Sequence, residues 1–238
     1  MQVVLLAAGL GSRLGELTTR VPKALIPVAG QPLLAYAVRF AQAAGAEEIV
    51  VVGGFAFPLV AAEVAARRLP VTLVENRDFR DGNLISLFTA RPLVRGEVLL
   101  MNVDHIYRPA IAGLVEPPAD EVTAFIDRDR ALGADDMKVE RDGAGRIRRI
   151  AKTLERYDCG YVGMTKIPAG SLPRYWAAAD AAIEEEGRAI HVERVLGRLA
   201  AGGAPPACRD ISGHGWLEVD LPEERDRAEA ALRGEAGW

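Results

Sequence analysis

VLLAAGLGSRLGELTTRVPK, residues 4–23, decides how the rest of this chain is read. Val3–Leu6 is a short apolar run suited to a buried parallel strand. Ala7, Ala8 and Gly9 follow at once, then Gly11 and Ser12. Side chains this small let the backbone approach a ligand and aim its N–H groups at phosphate oxygens. Arg13 adds a fixed positive charge, and Lys23 adds a second further along the same stretch. A strand, a small-residue loop (Leu6, Ala7, Ala8, Gly9, Gly11, Ser12) and two separated cations describe a polyphosphate site. The plainer alternative is an ordinary tight strand-to-helix turn. The commoner glycine motifs do not fit. No Gly-Lys-Ser/Thr triplet completes a P-loop, and Leu14 stands where a dinucleotide fingerprint needs its third glycine. The second strand runs into Gly53 and Gly54 rather than ending on an acidic residue.

Working outward, the pattern alternates. A helix is expected over Gln31–Gly45, opened by Pro32 and closed by Gly45, then a strand over Glu47–Val52. A helix over Pro58–Leu69, a strand over Val71–Glu75, a helix over Asn83–Val94 and a strand over Glu97–Met101 continue it. Such alternation implies βαβ units and a parallel sheet, with ligands beyond the carboxyl ends of the strands. After Pro109 the pattern changes. Strands are expected over Val122–Ile126, Met137–Glu140, Arg146–Ala151, Gly160–Lys166 and Trp216–Val219. Helices are expected over Pro173–Glu186, Ile190–Ala200 and Pro222–Arg233. The fold class is therefore α/β: a Rossmann-like domain with a mostly parallel sheet flanked by helices, and a small β subregion. We expect one domain over 1–238, with a nucleotide-binding half (1–108) and an acceptor-binding half (109–238).

Composition narrows the function classes. The chain has 238 residues, half of them hydrophobic, and a net charge of −4 with both signs mixed along it. That argues against nucleic-acid binding, which shows a basic face. No apolar run approaches the roughly 18 residues that span a bilayer. The N-terminus enters its first strand without a basic flank, so no signal peptide is expected. Cys159 and Cys208 match neither a zinc spacing nor a disulfide framework, which makes a reducing cytoplasm the expectation. The sequence leaves oligomeric state open, a homo-oligomer included.

Two carboxylates stand out. Asp104 follows the fourth strand, where a ligand should sit. Glu218 and Asp220 are two apart on a strand and so face the same side. Asp220 also heads Asp-Leu-Pro-Glu, a good helix N-cap with Pro just inside, so cap and metal ligand weigh about evenly. His105, taken alone, reads as a packed or hydrogen-bonded residue, and Cys159 as a small core residue.

LAAGLGSRL followed by VPKALIPVAGQPLL resembles the signature of the sugar-nucleotidyltransferase family, which has a GT-A-like fold. The family joins an NTP to a phosphorylated small molecule and releases pyrophosphate. The resemblance implies phosphate contacts for Arg13 and Lys23, and Mg²⁺ held by Asp104 and Asp220 with Glu218 nearby. VENRDFRDGNLISLFTA, VDHIYRPAI, IDRDRALGADDMKV, AKTLERYDCGYVGM and HGWLEVDLPEE follow in the order seen in the CTP:inositol-1-phosphate cytidylyltransferases. This implies CTP and inositol 1-phosphate as substrates. The base would lie near Leu6–Gly9, Gly82, Asn83 and Ser86. Lys152 would reach the acceptor phosphate, with Asp127, Asp158 and Gly160 beside the acceptor. WLEVD also resembles the ending of phosphocholine and aminoethylphosphonate cytidylyltransferases, so those acceptors stay open. A phosphocholine acceptor would need an aromatic cage, for which Tyr107, Tyr157, Tyr161 and Trp216 are the candidates. A nucleotide-binding regulatory protein without activity is the reading from another class. Such a protein would be expected to lose a phosphate-binding cation or a metal carboxylate, and this chain keeps both kinds.

Overall fold

A computed structural model describes residues 1–115 and 121–234. In chain order the strands and helices are β1 (Gln2–Ala7), β2 (Pro27–Val28), β3 (Gln31–Pro32), α1 (Leu33–Ala43), β4 (Glu48–Gly53), α2 (Phe57–Arg67), β5 (Thr72–Glu75), α3 (Asn83–Ala90), β6 (Val98–Asn102), β7 (His105–Tyr107), β8 (Thr123–Asp127), β9 (Lys138–Arg141), β10 (Ile147–Ala151), β11 (Cys159–Ile167), α4 (Leu172–Glu186), α5 (Glu193–Ala201), β12 (Ala207–Asp210), β13 (Trp216–Glu218) and α6 (Pro222–Gly234).

β1 is central. It pairs in parallel with β4 on one edge and β6 on the other, and β5 extends the sheet beyond β4. The period-2 alternation of β1 serves two cores at once. Val4 and Leu6 face one way, with Leu84 and Leu87 of α3 and Leu196 of α5. Val3, Leu5 and Ala7 face the other way, with Val38 and Phe40 of α1 and Val60 of α2. Both layers of helices thus pin the strand whose C-terminal end carries the small-residue loop.

Beyond β6 the sheet turns antiparallel through β11, which also pairs with β8 and β9; β10 closes the edge beyond β9, and β12 lies parallel to β8. This is the β subregion expected after Pro109. The β9–β10 hairpin turns through residues 142–145, with the Gly145 amide donating to the Asp142 carbonyl at 2.9 Å. The register of β11 against β8 shifts between Tyr161 and Thr165, around Gly163 at φ 69°. A Cβ at Gly163 would lie 2.7 Å from the His105 ring, so only glycine fits there on both counts.

Several features were not expected from the pattern. Residues Ser12–Thr18 wind as 3₁₀ turns, and β7 pairs antiparallel with β13 in a separate ladder that sets His105 opposite Glu218. A third apolar cluster (Leu14, Ile26, Val28, Leu33, Ile106, Val219, Ala228) ties the loop to that ladder and to α6. The last helix of the α4–α5 pair also starts later than expected, at Glu193, leaving Ile190 and His191 in the preceding segment.

Candidate active site

The loop after β1, the start of α3, the β6–β7 corner and the β13–α6 corner converge on one cavity of about 440 Å³. That size suits a small-molecule site rather than a polymer groove. Leu6, Ala7, Ala8, Gly9, Gly11, Ser12, Arg13, Lys23, Gly82, Asn83, Ser86, Asp104, Lys152, Glu218 and Asp220 all line it. The amides of Gly9, Leu10 and Gly11 donate to no other described group, so they are free for an anion.

The floor is an ion network. The buried Lys23 ammonium donates to Asp104 Oδ2 at 2.5 Å and to Asp220 Oδ1 at 2.6 Å. Arg13 pairs with the other oxygen of Asp220. His105 Nδ1 lies 2.6 Å from Asp104 Oδ1. The β7–β13 ladder and a bond from the Val219 amide to the Asp104 carbonyl, 2.9 Å, bring the two carboxylates together from distant segments. Burial disfavours the Lys23 charge, yet the two carboxylates outweigh it and raise its pKa. Burial would likewise push Asp104 up, but Lys23 and His105 hold it far below the ordinary carboxylate range. The same carboxylate raises the His105 pKa against the effect of burial.

The cap alternative for Asp220 resolves into a division of labour. Glu224 Oε2 accepts from the Asp220 amide at 2.9 Å and the Leu221 amide at 3.1 Å. The start of α6 is thus capped by Glu224, and the Asp220 side chain turns to the cations. Glu218 also lines the cavity, held by Arg130 at 2.9 Å; burial raises its pKa.

Lys152 reaches the cavity from the turn after β10. Its nearest anion is Asp135, 4.0 Å away, and the same carboxylate stands 3.2 Å from Arg13. One carboxylate thus lies between a cation of the loop and a cation of the β subregion, as a phosphate would. Asp135 sits in an irregular stretch, where no periodicity marks it.

Three expected acceptor residues lie elsewhere. Asp127 accepts from Trp216 Nε1 at 2.6 Å and from the Asp129 amide at 2.8 Å, clamping the end of β8. Asp158 is exposed and accepts from the Arg141 amide at 2.6 Å. Gly160 makes room for Leu132, whose side chain would lie 2.8 Å from a Cβ there. All three are outside the cavity wall because each is committed to a neighbouring segment: Asp127 to Trp216, Asp158 to Arg141 and Gly160 to Leu132. The cysteines are thiols pushed up by burial, Cys159 to about 11 and Cys208 to about 12, which suits packing rather than nucleophilic chemistry.

Gly82 has a structural task beside any ligand contact. Its amide donates to the Arg188 carbonyl at 2.9 Å, and a Cβ would fall 1.7 Å from the Ile190 carbonyl oxygen. Next to it, Asn83 Oδ1 accepts from the Val192 amide at 2.7 Å, leaving its NH₂ for the cavity. We expect Gly82→Ala to displace the 188–192 segment, lowering stability by about 1–3 kcal/mol and weakening nucleotide binding together. Thermal midpoint and nucleotide titration read the two effects; an unchanged midpoint would contradict the close approach.

Comparison with known proteins gives the same direction. Residues 3–133 match the MobA-like NTP transferase domain. The chain is 34% identical over 231 residues to a bifunctional IPC transferase and DIPP synthase of Rubrobacter xylanophilus, and 30% identical over 237 residues to the protein of the same name from Aquifex aeolicus. Both matches cover 96% of this chain and 51% of the relative, so the chain spans about half the length of these curated relatives. A solved structure, the inositol-1-phosphate CTP transferase from T. maritima, shares the fold with a TM-score of 0.83 at 20% identity, over 99% of this chain and 97% of that one. With more than half of its length matched, loop and parallel core included, this chain belongs to the MobA-like NTP transferase family and is a nucleotidyltransferase by descent.

Proposed function

We propose that this chain is a cytidylyltransferase that joins CTP to inositol 1-phosphate, giving CDP-inositol and pyrophosphate. The observation that carries the reading is the placement of Asp135 between Arg13 and Lys152, which marks an anion position joining the loop to the β subregion. The names of the relatives, IPC transferase and inositol-1-phosphate CTP transferase, support the choice of substrates. In this reading residues 1–108 supply most of the nucleotide site and residues 109–238 the acceptor side and Asp220.

The free amides of Gly9–Gly11, with Arg13 and Lys23, bind and orient the triphosphate. Leu6–Gly9, Gly82, Asn83 and Ser86 flank the base. Lys152 holds the acceptor phosphate beside the nucleotide. An acceptor phosphate oxygen then attacks the α-phosphorus. The new O–P bond forms as the bond from the α-phosphorus to the bridging oxygen breaks, and pyrophosphate leaves with that electron pair. The attacking dianion needs no base, so positioning and charge neutralisation carry the rate. Asp104 and Asp220 fit a magnesium ion: they are hard oxygen donors that already meet on one cation, and Mg²⁺ takes few protein carboxylates. When bound there, the ion would neutralise charge on the α-phosphate.

A polyol suits the wall better than a quaternary ammonium. Of Tyr107, Tyr157, Tyr161 and Trp216, Tyr161 alone lines the cavity. Trp216 and Tyr107 both stack on the His105 ring, with centroids 5.2 and 5.8 Å away, and neither lines the cavity as part of a cage. Mass-spectrometric screening of CTP with inositol 1-phosphate, phosphocholine and 2-aminoethylphosphonate tests the proposal. CDP-inositol and pyrophosphate are the expected products; faster turnover of either other acceptor, or equal turnover with UTP, overturns it. Lys152→Ala should raise the acceptor KM or cut kcat on the order of 100-fold, leaving CTP binding within a few-fold. Parallel steady-state titrations of the two substrates separate these outcomes.

A further inference from the structure

With Asp127 and Asp158 turned to structural tasks, the acceptor side needs other polar partners for a ring of hydroxyls. Glu193, the first residue of α5, offers one. Its side chain is buried, with 7% exposure for the residue, and it lines the main cavity and an adjoining apolar pocket of about 230 Å³ that Lys152 also borders. No described residue donates a hydrogen bond or forms an ion pair with its carboxylate. Two nearby donors are engaged elsewhere. Arg194 binds Glu186 at 2.6 and 2.9 Å, and the Tyr161 hydroxyl is bonded to Thr165 Oγ1 at 2.8 Å. Its oxygens are not sealed from the cavity, so both stay available to the donors of a ligand.

Resting on the proposed function, we propose that Glu193 is the specificity-determining residue of the acceptor site, its carboxylate accepting hydrogen bonds from hydroxyl groups of the inositol ring. A carboxylate has two acceptor oxygens and can receive two neighbouring hydroxyls at once. Lys152 borders both spaces that Glu193 lines, so lysine and carboxylate can hold two parts of one ligand.

Steady-state kinetics of wild type and Glu193→Gln test this, with inositol 1-phosphate and its deoxy analogues, each lacking one ring hydroxyl. The acceptor KM should rise on the order of 10- to 100-fold with the CTP KM unchanged. At least one deoxy analogue that is poor for wild type should lose nothing further in the variant. Replacing a carboxylate that has no partner among the described residues should leave the thermal midpoint nearly unchanged. An unchanged acceptor KM, or discrimination against every deoxy analogue kept intact, overturns the assignment while leaving the proposed function standing. A midpoint that falls by many degrees would make Glu193 a structural group and also overturn it. If wild type ignores inositol 1-phosphate and uses phosphocholine or 2-aminoethylphosphonate, both proposals fail, and loss of that acceptor in Glu193→Gln would identify the carboxylate as a counter-ion for an ammonium.

Discussion

Asp220→Asn should lower nucleotidyl transfer on the order of a thousandfold while shifting the thermal midpoint by only a few degrees. The carboxylate bonds to Lys23 at 2.6 Å and pairs with Arg13, so its charge is committed to the cavity floor. An amide keeps the shape but supplies one neutral oxygen, too weak a donor to share a magnesium ion with Asp104. Asp104→Asn should fall by a similar factor, since the two carboxylates act on one cation. A helix-cap role forecasts differently, because asparagine caps about as well as aspartate. The cap here is Glu224, which takes the Asp220 and Leu221 amides. Glu224→Ala should therefore cost about 1 kcal/mol of stability and leave turnover nearly intact, the reverse of Asp220→Asn. Steady-state pyrophosphate release at several magnesium concentrations, beside thermal midpoints of all three variants, separates the roles. Near-normal turnover of Asp220→Asn would remove it from the metal site.

What could be read from the chain follows from where local pattern carries information. β1 and its loop are legible because an apolar run ending in Ala-Ala-Gly has few structural uses, and both of its faces are buried. The loop residues lie on the cavity as expected because that task is done by backbone, and backbone follows chain position. The β7–β13 ladder is not legible: three-residue strands show no periodicity, and the pairing of His105 with Glu218 is a long-range event. Yet that ladder is what unites Asp104 and Asp220. Acceptor residues were misplaced for a related reason. Asp127 and Asp158 stand at strand ends, where a carboxylate serves an Asx turn, an indole or a neighbouring amide as readily as a ligand. Glu193 went unnoticed because an acidic residue in a first helical turn is ordinary; its place on the cavity wall beside Lys152, without a partner among the described residues, distinguishes it.

Lys23→Met should be the most damaging single change, to stability as well as turnover. The ammonium holds Asp104 and Asp220 at 2.5 and 2.6 Å in a buried setting. Removing one member of a buried ion network leaves the other charges uncompensated, a loss of about 3–5 kcal/mol. The pH dependence should weaken. In the wild type the Asp104 pKa is lowered on folding, so its stabilisation is present above the unfolded carboxylate value near 4 and lost as pH falls toward the folded one. Between pH 8 and 5 the wild-type midpoint should thus owe nothing to this group's titration. Without Lys23, Asp104 keeps His105 and Asp220 keeps Arg13, but Asp104 loses the largest influence that lowers its pKa. The stability lost as pH falls below about 4 should therefore be smaller in the variant than in the wild type. Magnesium offers an independent reading. If Asp104 and Asp220 are the metal ligands, Mg²⁺ should raise the midpoint of Lys23→Met more than that of wild type, because the ion takes the place between the carboxylates that the ammonium held. A variant midpoint insensitive to Mg²⁺ would show that the two carboxylates do not share one site.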